Sequence, residues 1–234
     1  MTAPNTAPDY GSAVFAGWRR AAADDWQAYT RHTFVRRLGD GSLPRQAYLH
    51  YLVQDYVFLV HFARAWALAV VKAGDLAEMR AAAGTVDALV NQEMTLHVKV
   101  CAAHGIAEKT LLAAEEEVEN LAYTRFVLDR GHAGDFLDLL AALAPCVLGY
   151  GEIGAWLGDA ASDRTYGDWI DAYAASDYQA VCLTVGQLID RAAAARLGAT
   201  PEASPRWAGL CRSFRTATRL EVGFWDMGLR AGKA

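Results

Sequence analysis

The sequence has no dense run of lysine or arginine, although it holds 22 such residues among 234. They are outnumbered by 27 aspartates and glutamates, so the formal net charge is −5. Proteins that bind nucleic acid usually present a basic patch that follows the phosphate backbone. The composition therefore predicts that nucleic acid is not a partner of this protein.

Cysteine is scarce too, and its spacing does not fit a zinc cluster. The four cysteines are Cys101, Cys146, Cys182 and Cys211, and no two of them form a C-x-x-C pair. The N-terminus has no cationic stretch followed by a long apolar core, and no apolar run is expected to avoid charge for long enough to cross a bilayer. We therefore expect a cytoplasmic protein with no membrane partner, whose thiols stay reduced.

Alternating apolar and polar runs bounded by turn signals are also missing, so no sheet is predicted. The sequence instead has 53% hydrophobic residues and many apolar positions at helical spacing. We expect a flexible N-terminus over residues 1–10, followed by an all-α, single-domain, multi-helix bundle over residues 11–234. The predicted helices cover residues 12–37, 42–73 with Ser42 as N-cap, 76–103, 115–130 before a loop at 131–134, 141–154, 166–176, 177–197 and 206–230.

The apolar stretch at 141–154 places Cys146 and Tyr150 four residues apart, hence on one face of a helix, with Glu152 turned away from that face. Pro145 predicts a kink at the thiol, because proline removes a backbone donor and clashes with the preceding turn. A cysteine in an apolar helix usually packs as a small hydrophobe, so the pattern by itself favours a structural role for Cys146. A reactive nucleophile is the alternative.

Asp55 lies on an aromatic helix face, which it shares with Phe58 and Phe62. An unpaired carboxylate in such a place is costly. Spacing alone favours an ion pair with a neighbouring helix, through Arg64 or Lys72. The alternative is a carboxylate that receives hydrogen bonds from a ligand.

Two further glutamates occur in patterns that bear on function. Glu221 lies beside aromatic residues on the last predicted helix, and Glu93 is four residues before His97, a spacing that can hold a metal ion if other helices add ligands. A second motif of this kind is missing from the later helices, so a hydrogen-bonded structural pair is favoured, with no metal and no cofactor. The alternative is a metal or heme enzyme built around His97, or around His50 and His61.

Six short motifs occur in the order found in a known family. They are His32-Thr33-Phe34-Val35, Tyr51-x-x-Gln54-Asp55-x-x-Phe58-Leu59, Ala122-Tyr123-Thr124, Pro145-Cys146-x-x-x-Tyr150-x-Glu152-Ile153-Gly154, Trp169-Ile170-x-x-Tyr173 and Glu221-x-x-Phe224-Trp225-Asp226-Met227. On these motifs the sequence resembles the TenA family, also called thiaminase II, in its cysteine-containing class. The resemblance implies a heme-oxygenase-like helical fold, usually a homotetramer, that hydrolyses substituted aminopyrimidines in thiamin salvage.

The resemblance also implies a role for each matching residue. Cys146 is the expected nucleophile, Glu221 the acid/base and Asp55 the group that holds the pyrimidine edge. Phe58 is expected to stack on the ring, where some relatives have tyrosine. The residues expected to line and polarise the pocket are Tyr123, Tyr150 and Tyr173.

The implied chemistry explains these residue types. Adding a thiolate to the ring splits one difficult displacement into two easier steps, but a free thiol with a pKa of about 8.5 needs activation. We expect Tyr123 and Tyr150 to hydrogen-bond the sulfur, a raised pKa to keep Glu221 protonated, and Asp55 to stay ionised. The leaving group, an amine or the thiazolium of thiamin, stays open, as does a non-catalytic regulatory or binding role.

Overall fold

A computed structural model describes residues 7–232, which form twelve α-helices and no strand, so the predicted all-α bundle is confirmed. Met1–Thr6, which make up most of the predicted flexible segment, lie outside the described residues, as do Lys233 and Ala234. Tyr10, at the end of that segment, is only 5% exposed. The helices are α1 (Ala13–Ala21), α2 (Ala23–Thr30), α3 (Thr33–Gly39), α4 (Arg45–Lys72), α5 (Leu76–Ala88), α6 (Met94–Ala103), α7 (Glu108–Leu112), α8 (Val118–Ala133), α9 (Phe136–Ala160), α10 (Gly167–Ala174), α11 (Ser176–Leu197) and α12 (Trp207–Ala231).

The segment predicted as one helix over residues 12–37 is three helices, α1 to α3. Ser12 caps α1, where its hydroxyl accepts a hydrogen bond from the Phe15 amide at 3.0 Å. The chain turns at Ala22 and Arg31, so aromatic side chains from successive helices reach the same core. The rings of Phe15 and Trp26, for example, meet with centroids 5.5 Å apart. A single straight helix of this length could not wrap around the core in this way.

A predicted cap and a predicted loop are wrong, for different reasons. Ser42 is not the cap of α4, because the N-cap position is Pro44, whose side chain accepts no hydrogen bond. The predicted loop at 131–134 is helical as far as Ala133. Gly131 serves close packing there, since a Cβ at this position would lie 2.6 Å from Cδ2 of Leu68.

The predicted helix over residues 76–103 is interrupted in the middle. A π-helical turn, Leu89–Glu93, separates α5 from α6, and the Met94 amide bonds to the Leu89 carbonyl five residues earlier. Single π turns inside helices are rare and recur at functional sites. The predicted end of this segment, at His104 and Gly105, is confirmed.

The central helix is α9, which packs against α8, α10, α11 and α12. Its glycines allow close approach of neighbouring elements: a Cβ at Gly154 would lie 2.4 Å from the Tyr173 carbonyl, and one at Gly149 would lie 2.1 Å from the ring of Tyr29. Contrary to expectation, α9 is long and apolar enough to cross a membrane, with a mean hydropathy of 1.5. However, 89% of that apolar window is buried inside the protein. A buried core helix meets the same criteria of length and composition.

Glu152 points away from the Cys146 face of α9, as predicted, and forms a buried polar contact with α1 and α2. Its side chain accepts a hydrogen bond from Nε1 of Trp26 at 2.8 Å and lies 3.3 Å from Nη1 of Arg31 and 3.5 Å from Nη1 of Arg19. Glu152 is only 3% exposed, so these groups compensate the burial of its charge. This contact ties the N-terminal helices to the core.

Candidate active site

A cavity of about 500 Å³ opens beside Cys146, near the middle of α9. Its walls come from α4, α5, the π turn, α9, α10 and α11. Five of the residues predicted for the site line it together: Cys146, Asp55, Phe58, Tyr150 and Tyr173. They come from three helices and are separated by up to 118 positions in the chain, so only the tertiary fold brings them to one place.

The Cys146 thiol is half-buried and faces the cavity, whereas Cys101 and Cys182 are fully buried. Cys211 is half-buried on α12 but does not line the cavity. Burial, followed by the charges of nearby carboxyl groups, Glu221 first, raises the pKa of the Cys146 thiol well above its usual value. The thiol is therefore protonated at neutral pH, and reaction requires its proton to be removed.

Glu221 and Tyr123 form a second layer behind the cavity wall. The Tyr123 hydroxyl donates a hydrogen bond to Oε1 of Glu221 at 2.9 Å, and the two residues are 1% and 2% exposed. The Tyr123 ring packs on Phe58, with centroids 4.9 Å apart. The expectation that Tyr123 bonds to the sulfur is wrong, because its hydroxyl is engaged by Glu221. Among residues 7–232 no side chain donates a hydrogen bond to the Cys146 sulfur.

The expected rise in the pKa of Glu221 is confirmed. Burial raises it to about 8, although the hydrogen bond from Tyr123 acts in the opposite direction by stabilising the ionised form. The nearby charge of Asp55 adds to the rise. At neutral pH Glu221 is therefore mostly protonated and able to donate a proton, the state that an acid catalyst needs.

Asp55 has no ion pair of the kind that its sequence context favoured. Arg64 lies near a histidine of its own helix, and Lys72 donates to backbone carbonyls at the end of α8. The nearest polar groups to Asp55 are the Tyr51 hydroxyl at 3.4 Å and Nδ1 of His97 at 3.6 Å. Burial raises the pKa of Asp55 to about 7. The groups around Asp55 thus do not hold it in its ionised form, in contrast to the expectation.

The tautomer of His97 favours the protonated form of Asp55. Its Nε2 lies 2.7 Å from the Leu52 carbonyl, which can only accept, so Nε2 carries the hydrogen. Burial lowers the pKa of His97, and neutral His97 then turns the lone pair of Nδ1 toward Asp55. Two acceptors facing each other favour protonated Asp55. The predicted hydrogen-bonded pair of Glu93 with His97 is not formed.

Glu93 lines the cavity, whereas its sequence context favours a structural role. Burial, and then the charge of Asp55, raise its pKa to about 7, while His97 acts to lower it. Its spacing to His97 was the only signal in the sequence, and that spacing favoured a structural pair, with a metal site as the alternative. The spacing does not reveal the π turn, which orients the Glu93 side chain toward the cavity.

Of the histidines in the alternative metal or heme hypothesis, His97 is largely buried beside Asp55, whereas His50 and His61 are partly exposed and pair with glutamates. His50 contacts Glu117 at 2.7 Å, and His61 contacts Glu116 at 3.2 Å. His50 and these glutamates border a wider, open groove of about 750 Å³ that contains no thiol. Within the described part of the chain, no group of three or more His, Cys, Asp and Glu side chains is placed to hold a metal ion.

The fold and the cavity define an all-helical protein in which a thiol shares a buried pocket with carboxyl groups and aromatic rings. A profile of the TENA/THI-4/PQQC family matches residues 19–231, and the chain belongs to this family. The resemblance seen in the six sequence motifs is thereby confirmed.

Relatives match over nearly the whole chain. An aminopyrimidine aminohydrolase from Halalkalibacterium halodurans is 37% identical over 205 residues, which cover 86% of this chain and 89% of that protein. A crystal structure described as a TenA family transcription regulator from Silicibacter sp. is 60% identical and superposes with a TM-score of 0.92, covering 93% of this chain and 97% of its own. A TenA homologue from P. horikoshii is 25% identical, with a TM-score of 0.84 and coverage of 93% and 99%.

Proposed function

We propose that this protein hydrolyses 4-amino-5-aminomethyl-2-methylpyrimidine to 4-amino-5-hydroxymethyl-2-methylpyrimidine, the thiaminase II type of reaction in thiamin salvage. The observation that carries the proposal is a cavity lined by both Cys146 and Asp55. The Glu221 carboxyl group lies near enough for its charge to raise the pKa of the Cys146 thiol. Family membership and the name of the aminohydrolase relative support it.

In the proposed reaction Cys146 is the nucleophile and Glu221 moves the proton. Because burial raises the pKa of Glu221, its ionised form is a stronger base than an ordinary carboxylate and accepts the thiol proton. The thiolate adds to the ring, and Glu221 returns the proton to a ring nitrogen. The ring then expels the leaving group, and water adds to the exocyclic methylene and loses a proton to the departing amine. The thiolate departs as the ring nitrogen returns its proton to Glu221.

Asp55 and the aromatic side chains orient the ring in this proposal. The exocyclic amine of the pyrimidine supplies the N–H donors that Asp55 lacks in the empty cavity, so ligand binding stabilises ionised Asp55. Phe58 offers a ring face for stacking, while Tyr150 and Tyr173, with centroids 4.9 Å apart, form the facing wall. Holding the ring rigidly against the thiol favours addition.

The test is a comparison of kcat/KM on the aminomethylpyrimidine and on thiamin for the parent protein, Cys146→Ala and the control Cys211→Ala. We expect turnover of the aminomethylpyrimidine by the parent and by the control. Cys146→Ala should lose about 1,000-fold or more while still binding the pyrimidine. Full turnover by Cys146→Ala would refute the covalent scheme, and no turnover of either compound by the parent would refute the proposed function.

A regulatory role is the second candidate, because the 60% identical structure is described as a transcription regulator. The net charge of −5 and the lack of a dense basic run oppose direct contact with DNA. Filter binding to duplex DNA at low salt separates the two candidates, since electrostatic binding is strongest there. Retention of duplex DNA at low salt would favour the regulatory role.

We also propose a cytoplasmic homotetramer. Several large apolar side chains remain exposed on the single chain, among them Val71 at 78%, Val118 at 76% and Leu112 at 69%. Burial of such residues between subunits would remove them from water. Light scattering coupled to size-exclusion chromatography measures the assembly, and a monomer at micromolar concentration would contradict it.

A further inference from the structure

We propose that Glu93 binds the leaving group of the substrate as an ammonium ion and thereby makes the site specific for an amine. This inference rests on the proposed function and addresses what that function leaves open, the choice between an amine and a thiazolium. It concerns specificity, because Glu93 would contact the leaving group and not the ring atom that the thiol attacks.

The backbone geometry shows why Glu93 reaches the cavity. Glu93 is the last residue of the π turn, in which the Met94 amide bonds to Leu89 and not to Val90. One extra residue in a turn rotates the positions on its two sides relative to each other by about 100° compared with an uninterrupted α-helix. The chain thus departs from regular helix at the residue whose carboxyl group enters the pocket.

The other carboxyl groups of the site already have roles on the ring. Asp55 is proposed to hold the amino edge, and Glu221, behind the wall, to serve a ring nitrogen. Glu93 comes from a separate element, and its charge acts on Cys146, Tyr173 and Tyr178. Tyr173 and Tyr178 lie on α10 and α11 and Asp55 lies on α4, so the Glu93 carboxyl group is placed in the part of the cavity between Asp55, the thiol and these tyrosines. A substituent that extends from a ring held on α4 enters this part.

The charge of Glu93 has no fixed partner. No ion pair or hydrogen bond to its carboxyl group is formed by any residue from 7 to 232, and His97 is kept neutral by burial. Arg80 also lines the cavity but is exposed at its rim. A primary alkylamine with a pKa of about 10 is protonated at neutral pH and offers three N–H donors to a carboxylate. Such a ligand supplies the missing cation.

This binding mode balances the expulsion step without an additional acid. When the C–N bond breaks, its electron pair goes to nitrogen, which already holds three hydrogens and leaves as neutral ammonia. The electron pair that forms the exocyclic double bond comes from the ring, which thiolate addition has made electron-rich. The hydroxymethyl product is uncharged at that position, so it loses the ionic contact with Glu93 and dissociates more readily.

Equilibrium binding tests the proposal without relying on turnover. In the Cys146→Ala background, calorimetry at pH 7.5 measures the dissociation constants of the aminomethylpyrimidine and the hydroxymethylpyrimidine, which differ only in the leaving group. Adding Glu93→Gln should weaken binding of the aminomethyl compound by about tenfold or more, because a charge-assisted contact is lost, and that of the hydroxymethyl compound by less than about threefold. The control is Glu115→Gln, which removes an exposed glutamate and should change neither constant.

The outcomes separate the two proposals. If Glu93→Gln weakens the binding of both compounds equally, or of neither, the assignment of Glu93 is overturned, while the proposed pyrimidine site is retained. If the parent background binds neither compound, the proposed function fails and the assignment of Glu93 fails with it. Circular dichroism and the melting temperature of the variant show that its fold is retained, so an equal loss on both compounds is not mistaken for unfolding.

Discussion

The hydroxyl of Tyr123 donates a hydrogen bond to Oε1 of Glu221 across 2.9 Å, between two side chains that are almost fully buried. Tyr123 is therefore a partner of the acid and not of the thiol. The bond stabilises ionised Glu221 and keeps its pKa from rising further than burial alone would dictate. This pair links α8 to α12, and its hydrogen bond helps to set the pKa of Glu221, which moves the proton in the proposed reaction.

Removal of the Tyr123 hydroxyl should shift the pH profile of the reaction upward. In Tyr123→Phe the ionised form of Glu221 loses a donor, so the pKa of Glu221 rises. Because the proposed reaction starts with ionised Glu221 accepting the thiol proton, the acid limb of kcat/KM, expected near pH 8, moves up by about one pH unit. Tyr173→Phe, which changes a cavity tyrosine outside this pair, is the control and should leave the position of that limb in place. A limb that stays fixed or moves down in Tyr123→Phe would contradict the role of the bond.

Alkylation of Cys146 should be slow at neutral pH and should accelerate as the pH rises. Burial raises the pKa of this thiol, and only the thiolate reacts. The rate of iodoacetamide labelling at Cys146, followed by peptide mass spectrometry, should increase about tenfold per pH unit between pH 7 and 9. Saturating hydroxymethylpyrimidine should protect Cys146 but not Cys211, which lies outside the cavity. Equal labelling of both cysteines with and without the pyrimidine would exclude Cys146 from the binding site.

Replacement of Glu221 should stabilise the empty protein at high pH. The pKa of this group is about 8 in the folded state and 4.5 when unperturbed, so between these values the folded state binds more protons than the unfolded state. The free energy of unfolding therefore falls as pH rises through this window. Glu221→Gln does not titrate, and urea denaturation should show it more stable than the parent by a few kcal/mol at pH 8 but by little at pH 5.

The control for this prediction is Glu115→Gln, which removes a glutamate exposed to solvent. It should change the free energy of unfolding by about the same small amount at both pH values. If the advantage of Glu221→Gln did not grow between pH 5 and pH 8, the raised pKa of Glu221 in the folded protein would be contradicted.

Glu152→Gln should destabilise the fold without a selective effect on the reaction. The substitution keeps an acceptor for Trp26 but leaves Arg19 and Arg31 without their carboxylate, in a contact that is almost fully buried on the glutamate side. The loss in the free energy of unfolding should be about 3 kcal/mol, as is typical when one partner of a buried pair is removed. Urea denaturation measures the loss. A drop in kcat/KM of more than about tenfold in folded protein would show that Glu152 serves the active site as well.

Much of the candidate site could be predicted from residue types in order along the chain. The spacing of Cys146 and Tyr150 placed both on one helix face, and the aromatic surroundings of Asp55 identified it as a carboxylate that needs either an ion pair or a ligand. The same reasoning failed where the outcome depends on a contact between distant helices. Arg64 and Lys72 were reasonable ion-pair partners by spacing, but their side chains find other groups. Which donor reaches a buried acceptor is decided by how the helices pack.

The helical class, the central apolar helix and the family could all be predicted from local periodicity and short motifs. Three contacts could not be predicted in this way: the hydrogen bond from Tyr123 to Glu221, the lone pair of His97 that faces Asp55, and the entry of Glu93 into the cavity beside a π turn. A buried polar group forms hydrogen bonds only with the groups within reach, and these groups decide its protonation state. The distances between them are set by packing between segments that are remote in the chain.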